Sequence, residues 1–196
     1  MNEAILSRSL NLLGEFLAEG SSLPVWLVVG GGSALLAQRL SARPTKDVDV
    51  MALREWEGTV MSAYPLPVAV KEAAAKVAEE LRLTTNWLNG ASALHGFDLS
   101  LLPAQFWQGL DTRDYGQRLK VSFIGRLGLI LLKLSAALDR DQRRDIEDLL
   151  NLKPNQVETE ESLRWLLRHL HGRATHPKLH SLLKELGHAD LIPRFD

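Results

Sequence analysis

The sequence predicts an α/β (α+β) protein in which a small mixed sheet flanked by helices is followed by a mostly α-helical subdomain. Three observations predict it. Short apolar runs rich in β-branched residues stand at 25–29 (VWLVV), 48–53 (VDVMAL) and 119–124 (LKVSFI). Apolar residues at helical spacing cover 3–19 and 70–83 between and before those runs. From residue 126 onward only helical patterns follow. A chain of 196 residues fits one domain with a smaller appended one, and the division expected is a core at 1–118 and a helical subdomain at 119–196.

Taken in order, Ile5, Leu6, Leu10, Leu13, Phe16 and Leu17 define an amphipathic helix that Gly20-Ser21-Ser22 stops. Pro24 opens the first strand, which runs into the tight turn Gly30-Gly31-Gly32. Ser33 then caps a short helix carrying Ala34, Leu35, Leu36, Ala37 and Leu40. A polar loop at 41–46 leads to the second strand, with Asp47 and Asp49 near its start. Pro65 and Pro67 end the segment after it, and the alanine-rich stretch 70–83 is a helix with Glu72, Lys76, Glu79 and Glu80 on its wetter side. Residues 84–118 stay apolar but are interrupted by Asn86, Gly90, Gly96, Pro103 and Gly109, which predicts short elements only. After the alternating third strand, 126–138 is apolar nearly all round, so a buried helix with Lys133 as its one internal charge is expected. Helices at 141–150, 160–170 and 177–186 complete the chain.

Composition narrows the chemistry. There is no cysteine, which excludes a disulfide framework, a thiolate metal site and a thiol nucleophile. No apolar run approaches the ~18–20 residues of a membrane helix, and the charged start MNEAILSRSL does not read as a signal peptide, so a cytoplasmic protein without membrane partners is expected. A net charge of -1 requires any polyanion to be met by a local patch. The tryptophans at 26, 56, 87, 107 and 165 are scattered without basic interleaving, and read as core or subdomain contacts.

The strongest local feature is the succession of strand, Gly31-Gly32-Ser33, helix, and then Arg43-Pro44-Thr45-Lys46-Asp47-Val48-Asp49 entering a strand. Carboxylates two residues apart on a strand project to one face and repel each other, and a Mg²⁺ or Mn²⁺ ion between them relieves that repulsion. A glycine turn before a helix presents N–H groups to phosphate, so phosphate and metal would meet in one cleft. The plainer alternative is that the aspartates solvate a strand edge and the glycines make a turn. A Rossmann fingerprint is set aside, because Leu35 stands where the third glycine belongs. Lys133, in a helix this apolar, must meet an acid or a phosphate, since a buried unpaired ion costs several kcal/mol; snorkelling, or structural pairing with Asp145 or Asp148, are the alternatives. On the next helix Arg144 and Asp148 are expected to share a face by their i,i+4 spacing, leaving Asp145 to point elsewhere as the better candidate for chemistry.

Four segments in this order, VVGGGSALL at 28–36, RPTKDVDV at 43–50, KLSAALDR at 133–140 and RDIEDL at 144–149, resemble the nucleotidyltransferase superfamily with the polymerase-β-like fold. Within it the chain is similar to the bacterial group that includes the toxins of AbiEii-type (type IV) toxin–antitoxin systems, over roughly residues 20–150. The resemblance implies a nucleotidyltransferase core in which Gly31, Gly32, Ser33, Arg43, Thr45 and Lys133 bind an NTP and Asp47 and Asp49 bind Mg²⁺ or Mn²⁺. Asp47, Asp49, Lys133 and Asp145 would be catalytic, the last two facing the cleft from the helical side. Such enzymes often use a third carboxylate on a neighbouring strand, and Asp98 is the only acid between Glu80 and Asp111. The implied reaction attaches an NMP to an RNA such as tRNA, a protein or a small molecule, with a toxin role and a cognate antitoxin as its biological setting. The alternative is a catalytically inactive protein of the same fold that binds a nucleotide or a partner protein.

Overall fold

Asn2 starts the first helix, α1 (Glu3–Glu19): its side-chain oxygen accepts from the Ile5 N–H at 2.9 Å, and Gly20 closes the other end by donating to the Phe16 carbonyl. The structure is a computed structural model that describes residues 1–20, 23–90, 102–139, 143–169 and 176–195. The helix buries Leu6, Leu10, Leu13 and Leu17, the stripe its periodicity defines. Then follow β1 (Val25–Gly30), α2 (Gly31–Ala37), β2 (Val48–Arg54), β3 (Val60–Ser62), α3 (Val68–Leu81), β4 (Leu88–Asn89), α4 (Ala104–Gln108), β5 (Asp111–Asp114) and β6 (Leu119–Phe123).

The strands form one mixed sheet in the order β3-β2-β1-β6-β5, with β4 also paired to β2. The central strand, β1, lies parallel to β6 and antiparallel to β2. Leu27, Val28 and Val29 have no exposed surface, which is why the run is continuous and not alternating. The helix α3 packs on α1 through Val70, Ala73, Ala74, Val77 and Ala78, small residues that let the helices approach closely. Trp87, fully buried, donates its indole N–H to the Ala74 carbonyl at 2.9 Å and so ties the start of β4 to α3. At Gly14 a Cβ would overlap the Tyr115 carbonyl, so α1 crosses the β5–β6 turn at main-chain contact.

The chain divides between Gly125 and Arg126, so the strand at 119–123 belongs with the sheet and not with the helical part that was expected to begin at 119. The second unit consists of α5 (Arg126–Asp139), α6 (Arg143–Leu152), α7 (Gln156–His169), α8 (His176–Glu185) and a 3-10 helix at Ala189–Arg194. Its core forms where α6, α7 and α8 pack on α5, burying Leu129, Ile130, Leu134, Leu149, Leu163 and Leu183. Asn155 and Glu158 cap α7 reciprocally, each side chain accepting the other's main-chain N–H at 2.9 Å. Glu158 also receives two hydrogen bonds from Arg126, tying the start of α5 to the start of α7.

The architecture is α+β, as the sequence predicts, with more strands than the three apolar runs announced. The additional ones, β3, β4 and β5, are short and carry no apolar alternation to read. Among the described residues no helix is long and apolar enough to cross a membrane.

Candidate functional site

Because β2 runs antiparallel to β1, the turn that leaves β1 and the residues that enter β2 lie at the same end of the sheet, with Gly30 directly opposite Asp49. Gly31 has φ +63°, and a Cβ there would overlap Asp49 Oδ2. The Asp49 carboxylate therefore lies against the main chain of Gly31, in space that only glycine leaves open. Val48 and Val50 are fully buried whereas Asp47 and Asp49 are partly exposed, so the inward and outward residues alternate at this entry as period two requires.

The other residues of the turn and loop have structural tasks. Gly30, not Ser33, is the N-cap of α2. Ser33 sits inside the helix with no exposed surface, and its hydroxyl donates back to the Gly30 carbonyl at 3.0 Å, which corrects the expectation that it caps. Thr45 is buried, and its hydroxyl donates to the Asp47 carbonyl at 3.0 Å, shaping the loop that carries Asp47. The same residue's N–H donates to the Met1 carbonyl, and its own carbonyl accepts from the Met1 ammonium. Arg43, half-buried, donates its main-chain N–H to the Ser41 hydroxyl at 3.2 Å. Gly31 and Gly32 form the first turn of α2, where N–H groups have no acceptor within the helix.

One residue at this end of the sheet was not anticipated. On the side of β2 away from β1, β4 pairs in parallel and sets Asn89 opposite Asp49 and Leu88 opposite Val48. A two-residue strand has no periodicity, so no sequence signal pointed to Asn89. Asp98, the expected third carboxylate, lies outside the described residues. Among the described residues no three His, Asp or Glu side chains come together as a ligand set. Mg²⁺ is commonly held by one or two carboxylates, with waters and substrate phosphates completing its shell, so Asp47 and Asp49 fit that donor chemistry.

In the second unit Lys133 is buried, with its Nζ 2.8 Å from Asp145 Oδ1 and 2.6 Å from Asp148 Oδ2. Side-chain exposures of 11%, 8% and 0% for these three groups make this a sealed ion cluster. Asp145 and Asp148, at i,i+3, share the face of α6 turned to α5. This corrects the expectation that Asp145 points away while Asp148 sides with Arg144: the buried ammonium draws both acids to it. An ammonium between two carboxylates joins α5 to α6, and its partners are acids of its own unit.

Two further features belong to the first unit. Trp56 is 59% exposed and not a core residue; its ring centroid lies 5.6 Å from that of Trp26, with Lys120 Nζ 5.1 Å and 4.9 Å from the Trp26 and Trp56 rings. The open cleft of about 560 Å³ beside the C-terminal end of α2 contains none of the predicted site residues. Its charges cancel locally, as Arg39 pairs with Glu3 at 3.2 Å and Arg113 with Asp111 at 2.7 Å.

Fold and site together define an α+β protein with Asp49 set against a glycine turn at one end of a mixed sheet and Asp47 two residues before it. No family model matches the chain, and neither a curated protein nor a solved structure matches it.

Proposed function

We propose that this chain is a Mg²⁺-dependent (or Mn²⁺-dependent) cytoplasmic nucleotidyltransferase of the polymerase-β-like class, transferring an NMP from an NTP to an acceptor hydroxyl. The observation that supports it most is the Asp49 carboxylate lying against the main chain of Gly31, with Asp47 two residues before it and α2 beginning at the same glycine. Asp47 and Asp49 are the residues that would hold the ion, which when bound neutralises charge on the reacting phosphate oxygens. The N–H groups of Gly31 and Gly32, which have no acceptor within α2, would donate to phosphate oxygens and orient the triphosphate. Ser33 and Thr45 contribute by fixing the turn and the loop, since their hydroxyls are used internally. In the reaction the acceptor hydroxyl gives up its proton to solvent as its oxygen bonds to the α-phosphorus, the bond from that phosphorus to the bridging oxygen breaks, and pyrophosphate leaves. The acceptor is an RNA end such as that of tRNA, a protein or a small molecule, and a toxin restrained by an antitoxin is the setting the resemblance favours.

A second reading, a protein of this fold that binds nucleotide without transferring it, is favoured by the neutral Asn89 beside Asp49. One experiment separates the two: each α-³²P-labelled NTP is incubated with Mg²⁺, total RNA and cell extract, using the natural protein and the Asp47→Asn/Asp49→Asn variant. Label transferred by the natural protein and reduced at least about a hundredfold in the variant supports transfer and identifies the acceptor class. Mg²⁺-dependent nucleotide binding without transfer of any of the four NTPs establishes the second reading.

A further inference from the structure

Asn89 is held in place from both sides. Before it, the Trp87 carbonyl accepts from the Val48 N–H at 2.6 Å, and the Trp87 ring is fully buried. After it, Gly90 lies so close to the Ala63 carbonyl that a Cβ would overlap it. The register is therefore not free to slip. Residues opposite each other in a parallel pair project from the same face of the sheet, on strands about 4.8 Å apart. Burial agrees with that face assignment: Val48 and Leu88 are both buried, and Asp49 and Asn89 are both partly exposed. The carboxamide thus stands beside the carboxylate that Gly31 accommodates.

The geometry points to Asn89 as the third polar group of the Asp47/Asp49 site, set next to Asp49 on the far side from the glycine turn. It is neutral at every pH at which the protein is folded, so it adds an oxygen and two N–H donors to the site without adding charge. The affinity of an oxygen site for a divalent cation rises with the number of charged ligands. A site with two carboxylates and a carboxamide therefore holds the cation weakly by itself and leaves room in its shell for phosphate oxygens. This inference rests on the nucleotidyltransferase reading only for the identity of those phosphates; the placement of Asn89 does not depend on it.

The test is a Mn²⁺ titration followed by electron paramagnetic resonance of the free ion, without nucleotide, on the natural protein and on Asn89→Asp, Asp49→Asn and Asn89→Asp/Asp49→Asn. Asn89→Asp is expected to bind Mn²⁺ at least about tenfold more tightly than the natural protein, and the gain is expected to disappear when Asp49 is also replaced. Unchanged affinity in folded Asn89→Asp overturns the inference, as does a gain that survives without Asp49. If circular dichroism shows that Asn89→Asp does not fold, Asn89→His puts the same question with Ni²⁺: new binding that depends on Asp49 supports the placement, and none overturns it. A gain in Mn²⁺ affinity in a protein that transfers no nucleotide would leave Asn89 in place and remove the transferase reading alone.

Discussion

Two pairs of aspartates, Asp47 with Asp49 and Asp145 with Asp148, look alike in the sequence and have opposite surroundings. The first pair stays partly exposed where a strand begins, one carboxylate resting on the bare main chain of Gly31. The second is sealed inside a helical unit around Lys133. Burial separates the two pairs. Sealed carboxylates with a resident ammonium form a structural joint, because breaking such a cluster strands a charge in a medium that cannot solvate it. Partly exposed carboxylates beside N–H donors can take up a cation and a phosphate that arrive from solvent.

The largest expected effect breaks the sealed pair. Lys133→Ala leaves two buried carboxylates facing each other and should destabilise the protein by about 3–5 kcal/mol, read as a lowered urea midpoint in circular dichroism. Lys133→Met combined with Asp145→Asn and Asp148→Asn removes every charge and should recover most of that loss. A triple variant as unstable as Lys133→Ala would show that the joint depends on something other than charge pairing.

Gly31→Ala acts on the open pair and is expected to be smaller. It forces a Cβ into the left-handed region and against Asp49 Oδ2, costing about 1–3 kcal/mol and displacing the carboxylate. Nucleotide transfer should be lost under conditions where the variant is still folded. Full activity in Gly31→Ala would argue against the close approach of Asp49 to the turn.

The smallest effect sharpens the comparison by asking what an acid of the second unit contributes nearer the surface. The Arg126 guanidinium, and secondarily the Asn155 N–H, hold the Glu158 carboxyl below its ordinary value of 4.5 against the opposing effect of partial burial. A carboxyl lowered in the folded state stabilises above its unfolded pKa, and that contribution is lost as pH falls through the folded value. Stability should therefore decline below about pH 4.5, and Glu158→Gln should flatten that slope while costing no more than about 1 kcal/mol at neutral pH, since the pair is partly solvated. An unchanged slope in Glu158→Gln would assign the acid sensitivity to other carboxyls.

Much of the fold was legible because periodicity survives in a single sequence. The stripe of α1, the buried run of β1 and the alternation of β6 each report a local repeat that burial then uses. The short strands β3 and β4 contain too few residues for any repeat, and they exist because β2 offers them an edge. Within the candidate site, Asp47, Asp49 and Gly31 stand out by their spacing, and the folded chain brings Asp49 against Gly31. The internal bonds of the Ser33 and Thr45 hydroxyls could not be read from spacing, because their acceptors are main-chain carbonyls that only the folded turn and loop present.

By itself the sequence determined the α+β class and the helical character of the second unit, and it put a glycine turn and two aspartates at the two ends of one short connection. These follow from interactions between residues near each other along the chain, where spacing is enough. Only the tertiary structure decided that Asn89 stands beside Asp49, that Asp145 and Asp148 both turn to Lys133, and that the division falls after β6. Those depend on strand pairing and helix packing between distant segments, where register and burial, and not residue type, choose the neighbour.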